Sequence, residues 1–132
     1  MKKIHFLLLA LALFSGTLAT VPTGCVHIKN RYISQFLVVT GTHDADRRNV
    51  GYGKVPHKWT ISKDGDWYKI KHKDLGEEMF ESVQNYEGNY VFTWIPKSVI
   101  NDGGAEWKIY GSGRPGYYYF KNKKTQSLSV HQ

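Results

Sequence analysis

The segment Val26-His27-Ile28-Lys29-Asn30 returns as Tyr68-Lys69-Ile70-Lys71-His72, and again as Tyr118-Tyr119-Phe120-Lys121-Asn122. A polar turn and an apolar run follow each copy: Phe36-Leu37-Val38-Val39, Met79-Phe80 with its flanks, and Leu128-Ser129-Val130. The first two copies continue through Asn49-Val50-Gly51-Tyr52 and through Asn89 to Trp94. Each then closes on Trp-x-Ile, as Trp59-Thr60-Ile61 and Trp107-Lys108-Ile109. The spacing is 42 residues from Ile28 to Ile70 and 50 from Ile70 to Phe120. Order, residue type and turn position recur together, which is the signature of a fold assembled from similar supersecondary units. Within each unit apolar and polar residues alternate, so that one face of a β-strand is buried and the other is wet. Asp64-Gly65-Asp66, Asn101-Asp102-Gly103-Gly104 and the run from Gly111 to Gly116 supply the reversals. The chain reads as all-β, with units of about residues 25–66, 67–116 and 117–132. The third unit lacks counterparts of the last strands of the second, so an open side near Val26, Ile28, Phe120 and Leu128 is expected.

Residues 1–19 stand apart from this pattern. Lys2 and Lys3 form a basic head, Ile4 to Phe14 an apolar run, and Thr17-Leu18-Ala19 a small-residue cleavage site. This is the build of a secretory signal peptide, expected as a helix, and its uncharged run is short for a membrane span. A single domain of residues 20–132, secreted and not inserted in a membrane, is the expectation. Without Lys2 and Lys3, 16 basic residues face 11 acidic ones, a net charge of about +5 with histidine neutral. Export argues against a nucleic-acid partner. Cys25 is the one cysteine, so no disulfide forms within the chain, and packing must replace the bridges on which small secreted domains usually rely. Four Trp, nine Tyr and six Phe supply the material. Three fates stand open for Cys25: a free thiol, an intermolecular bridge or association through it and the open edge, and a partner absent from this chain.

Three units of four short strands, each ending in Trp-x-Ile, resemble the β-trefoil, and in particular its ricin-B-like branch. The resemblance covers nearly all of Cys25 to Val130. It extends to small trefoil-like proteins secreted by insects, mosquito salivary glands included, on the strength of Arg47-Arg48-Asn49-Val50 and Tyr90-Val91-Phe92-Thr93-Trp94. It implies a six-stranded barrel capped by three hairpins, with the third repeat incomplete. The lectin features of that branch carry over poorly. Where its motif has Gln two residues before the Trp, this chain has His57 and Ala105, and the sugar-gripping Asp is matched by His27, Lys69 and Tyr119. Trp94 is the candidate sugar-stacking ring, but the first unit has Gly53 at that place.

No spacing of the His-Glu-x-x-His kind appears, so neither a metal nor a cofactor is expected. His43, Asp44 and Asp46 share a polar loop that reads better as a solvated turn than as a metal or acid–base cluster. Glu77 and Glu78 are adjacent, so on a strand they face opposite sides and cannot act as a pair. No serine or cysteine has a nucleophile's setting, and the chain does not read as an enzyme. The basic segments are the better lead. Lys69, Lys71 and Lys73 in the second unit match Lys121, Lys123 and Lys124 in the third, with Lys29-Asn30-Arg31 in the first. Lys69 and Lys71 share one strand face, where they either attract a polyanion or serve solubility and block edge pairing. The reading is a secreted, non-catalytic binding protein whose partner is an extracellular glycan, a polyanion or a host protein. The alternative is a secreted protease inhibitor of Kunitz-trefoil type, presenting Arg47-Arg48 or Arg114-Pro115 on a loop.

Overall fold

The computed structural model describes residues 2–3, 20–84 and 88–126. Among them every regular element is a strand. In chain order these are β1 (Lys2–Lys3), β2 (Gly24–His27), β3 (Lys29–Asn30), β4 (Gln35–Thr42), β5 (Arg47–Gly53) and β6 (Trp59–Asp64). They continue as β7 (Trp67–His72), β8 (Glu77–Gln84), β9 (Gly88–Trp94), β10 (Trp107–Gly111) and β11 (Tyr118–Asn122). The turn signals fall between them. Gly65 takes a φ of 62° in the β6–β7 reversal, a left-handed conformation in which a side chain is strained.

Neighbouring strands run in the order β1-β2-β6-β7-β8-β9-β5-β4-β3, with β10 joined to β7 and β11 to β10. All pairs are antiparallel except the short contact of β1 with β2. β2 and β3 occupy distant places on this path yet flank Ile28 in the chain, so the sheet curls around a common core. Alternation places that core as the sequence implies. Trp59, Ile61, Trp107 and Ile109 are buried on one face, while Lys108 points to solvent. They pack with Val26, Ile28, Ile70, Met79, Tyr118 and Phe120 in one cluster. A second, smaller cluster holds Phe80, Phe92 and Ala105.

The ricin-B-like β-trefoil needs correction. The strands form an open, curled antiparallel sheet, and the third unit contributes a single described strand, β11, paired to β10 alone. One strand cannot supply the barrel strands and the cap that a third unit must add. Lys2 and Lys3 lie in a short strand parallel to Val26 and His27, while the expected signal-peptide helix falls on residues 4–19, outside the described residues. The Leu128-Ser129-Val130 strand also falls outside them. Of the residues expected at an uncovered edge, Val26, Ile28 and Phe120 are buried, and Ile28 and Phe120 line an opening between β3 and β11.

The units do share their local geometry. Asn30, His72 and Asn122 occupy equivalent strand ends, are all buried, and each accepts backbone N–H groups from the turn that follows. Asn30 Oδ1 takes those of Tyr32 and Ile33, His72 Nδ1 that of Leu75, and Asn122 Oδ1 those of Lys124 and Thr125. Four residues on, the N–H of Ser34, Gly76 and Gln126 returns to the carbonyl of the same residue at 2.9, 2.8 and 2.9 Å, with positive φ in all three cases. The side chain thus fixes a turn that the backbone alone would leave open. Two tryptophans also act alike. Trp59 Nε1 donates to the Leu37 carbonyl at 2.9 Å, and Trp107 Nε1 to the Met79 carbonyl at 3.1 Å, tying the closing strand of each unit to its own second strand.

Where two units use asparagine, the second uses a group that titrates. His72 Nε2 lies 3.0 Å from His57 Nδ1, which also accepts the Val39 N–H at 3.2 Å. With both Nδ1 atoms accepting, His72 is neutral and donates from Nε2. Burial first, and then His57, hold the His72 imidazole below its ordinary 6.5, against the opposing pull of Asp74 and Glu77. The unfolded chain takes up this proton at about pH 6.5 while the fold resists it. Just below that pH the unfolded state binds more protons, so stability must fall as pH drops from 6.5 towards the depressed folded value. Urea midpoints measured between pH 7 and pH 5 should show this loss. His72→Asn, which installs the residue of the other two units, should flatten it, and an unchanged slope in that variant would assign the effect elsewhere.

Candidate functional site: a tyrosine-lined cleft

β11 pairs with β10, and β3 with β4. Between these two edges the sheet curls without strand pairing among the described residues, and a cleft of about 150 Å³ opens there. Its deep surface comes from Ile28, Met79 and Phe120, with the half-buried Leu37, Val50 and Val91 beside them. Alternation delivers these groups: Val50 and Tyr52 share one face of β5, and Tyr118 and Phe120 one face of β11. Tyr52, Tyr90, Tyr117 and Tyr119 add rings to the walls. Burial raises the Tyr52 phenol above its ordinary value, partly offset by a hydrogen bond with the Asn30 side chain. Tyr118 is raised more strongly, by burial and then by Tyr68, and its hydroxyl donates to the Thr20 carbonyl at 2.9 Å. Both phenols are therefore neutral donors at physiological pH.

The mouth carries the charge. The turn fixed by Asn30 holds Arg31 and Tyr32 out in solvent. The Arg31 guanidinium lies 5.6 Å from the Tyr32 ring centre and 5.4 Å from that of Tyr117, within cation–π range of both. Lys29 Nζ lies 5.4 Å from the Phe36 ring. Neither Arg31 nor Lys29 has a carboxylate partner among the described residues, and no Asp or Glu lines the cleft. Arrayed this way, the site offers an apolar slot with hydroxyls on its walls and a positive rim.

The lysines singled out from the sequence lie elsewhere. Lys69 on β7 meets Glu78 at 3.4 Å, Lys123 meets Glu106 at 2.7 Å and lies 5.1 Å from the Trp67 ring, and Lys124 meets Asp102 at 2.7 Å. The Lys124 contact also lowers the Asp102 carboxyl below its usual range. Lys71, Lys73 and Lys121 have no carboxylate at ion-pair distance among the described residues. Lys121 sits directly opposite Lys108 in the β10–β11 register. The candidate sugar-stacking ring, Trp94, is half-buried, donates its N–H to Ser98 Oγ at 3.0 Å and meets Phe80 edge-on.

The loop His43-Asp44-Asp46 is a side-chain-fixed turn. Asp44 Oδ1 accepts the N–H groups of Asp46 and Arg47, and Oδ2 accepts from the Arg47 guanidinium at 2.6 Å, which lowers the Asp44 carboxyl below its usual range. No group of three metal-ligating side chains occurs among the described residues. Glu77 and Glu78 do face opposite ways, Glu77 to Arg48 and Glu78 to Lys69. Arg47 and Arg48 lie within β5 and are engaged by Asp44 and Glu77, while Arg114 is exposed in the turn between β10 and β11.

No family model and no curated protein matches the chain. Among solved structures, one similar chain is a salivary protein from Culex quinquefasciatus of the Cysteine and Tryptophan-Rich (CWRC) family. It is 53% identical with a TM-score of 0.79, over 83% of this chain and 77% of that one. A second Culex quinquefasciatus salivary protein of the same family is 25% identical with a TM-score of 0.71, over 83% and 76%. These neighbours correct the family expectation. The likeness is to mosquito salivary CWRC proteins and not to ricin-B-like lectins.

Proposed function

The chain belongs to the Cysteine and Tryptophan-Rich (CWRC) family, and from that premise we propose that it is a secreted salivary protein that binds a small ligand, without catalysis, in the tyrosine-lined cleft. One observation carries the reading: a concave apolar slot with a few convergent polar groups lies between two sheet edges that are unpaired among the described residues. Its lining of aliphatic and aromatic residues, with Lys29, Asn30, Arg31 and Ser112, offers contacts and hydrogen bonds, and among the described residues includes no carboxylate, imidazole or thiol. Strands of the curled sheet supply much of its lining, and a slot already formed spends little ordering entropy on binding.

Val50→Phe tests the site. A ring added to a half-buried valine of the cleft should occupy the space a ligand needs. Saturation-transfer NMR with a library of single-ring compounds should give signals with the native chain, and these should vanish in the variant. Circular dichroism should show the same sheet in both. Signals that persist undiminished in Val50→Phe would place binding outside the cleft.

A further inference from the structure

We propose that the ligand is a small aryl carboxylate, its ring held in the cleft and its anionic end on Arg31. This rests on the reading of the cleft as a binding site and adds the ligand's size, shape and charge.

Size comes from the volume. A cavity of about 150 Å³ takes roughly one benzene ring, which excludes a fused-ring body from the buried part. Shape comes from the surfaces on offer. Tyr52, Tyr90, Tyr117 and Met79 are among the lining residues, and tyrosine rings and thioethers pack well against an aromatic ring.

Charge is settled by what surrounds the mouth. Tyrosine-rich slots also suit ammonium ligands, because ring faces attract cations. Here the rings nearest the mouth, Tyr32 and Tyr117, already face the Arg31 guanidinium. Lys29 also lines the cleft, and among the described residues no carboxylate does. An ammonium would meet like charge at the rim. A carboxylate would meet a planar fork of donors already held between two rings, the geometry in which arginine grips carboxylates in bidentate fashion. The surplus of basic residues over acidic ones across the chain favours the same sign.

Three compounds of one shape separate the possibilities: phenylpropanoate, phenylpropanamide and phenylpropylamine, titrated calorimetrically into the native chain, Arg31→Gln and Val50→Phe. Arg31 is exposed, so its replacement should leave stability nearly unchanged. The carboxylate should bind about tenfold tighter than the amide, and the amine most weakly. Arg31→Gln should bring the carboxylate down to the affinity of the amide and leave the amide unaltered, and Val50→Phe should abolish both. Equal affinities, a preference for the amine, or a carboxylate preference that survives Arg31→Gln would overturn the anion assignment while the cleft reading stands. If none of the three binds to the folded native chain, the aryl carboxylate assignment falls, and the single-ring library against Val50→Phe decides the cleft reading separately.

Discussion

Replacing Trp107 by alanine should lower the stability of the domain by about 3–5 kcal/mol, the loss typical of a large aromatic removed from a core. Trp107 is fully buried in the main cluster, where it packs with Trp59, Ile70 and Ile109. The truncation removes this packing and leaves a cavity that rigid strands on both sides cannot collapse to fill. It also strips the Met79 carbonyl of the indole N–H that lies 3.1 Å away. Small domains are stable by only about 5–15 kcal/mol, so the variant should sit close to unfolding. Trp107→Phe separates the two contributions. It keeps a ring in the space but leaves the carbonyl without its donor, and should cost less than the alanine variant. Urea denaturation followed by far-UV circular dichroism measures both, and a loss below about 1 kcal/mol for Trp107→Ala would show that Trp107 is not a core residue.

Arg48→Met should cost nearly as much, for a different reason. The Glu77 side chain is 3% exposed, and both of its oxygens accept from Arg48 Nε at 3.1 Å. Thr93 Oγ1 donates to Oε1 at 2.9 Å. These three residues stand on β5, β8 and β9, so the ion pair joins strands far apart in the chain. Methionine preserves much of the arginine stem but leaves a buried carboxylate with one hydroxyl for company. Breaking a buried pair from one side costs about 3–5 kcal/mol. Arg48 is itself 32% exposed, which puts the expected value at the lower end. Combining Arg48→Met with Glu77→Leu should recover part of the loss, because no unpaired charge then remains inside. A double-mutant cycle reads the coupling, and strictly additive losses would mean that the pair contributes nothing of its own.

What the sequence disclosed was periodic and local. The Trp-x-Ile strands, the hairpin at Asp64-Gly65-Asp66 and the opposite facing of Glu77 and Glu78 each depend on alternation or on one turn, so a few neighbouring residues suffice to read them. The trefoil resemblance overshot for a related reason. Repeats indicate that units exist, whereas closure depends on which strands pair across units, and that is decided between residues distant in the chain. The cleft was hidden on the same account. Its lining gathers short pieces around residues 28–32, 50–52, 79, 90–91 and 116–120, none of which carries a binding signature alone. Lys69, Lys123 and Lys124 looked available because their partners Glu78, Glu106 and Asp102 become neighbours through sheet register and turn geometry. Arg47 and Arg48 read as adjacent cations, but alternation on β5 turns one to Asp44 and the other inward to Glu77.

The paired indole hydrogen bonds make this molecule legible to light. Trp59 and Trp107 are shut away from water with their N–H groups on carbonyls, one in each of the first two units, whereas Trp67 and Trp94 are half-buried. Converting the latter pair to phenylalanine leaves two fluorophores, each of which reports on the integrity of its own unit. Removing one of these in turn gives chains with a single emitter, and the red shift of each during unfolding times the opening of the first unit against that of the second. Coincident shifts would mean that the curled sheet opens all at once. Separate ones would mean that the strands from residue 24 to 64 and those from residue 67 to 111 open as distinct cooperative pieces.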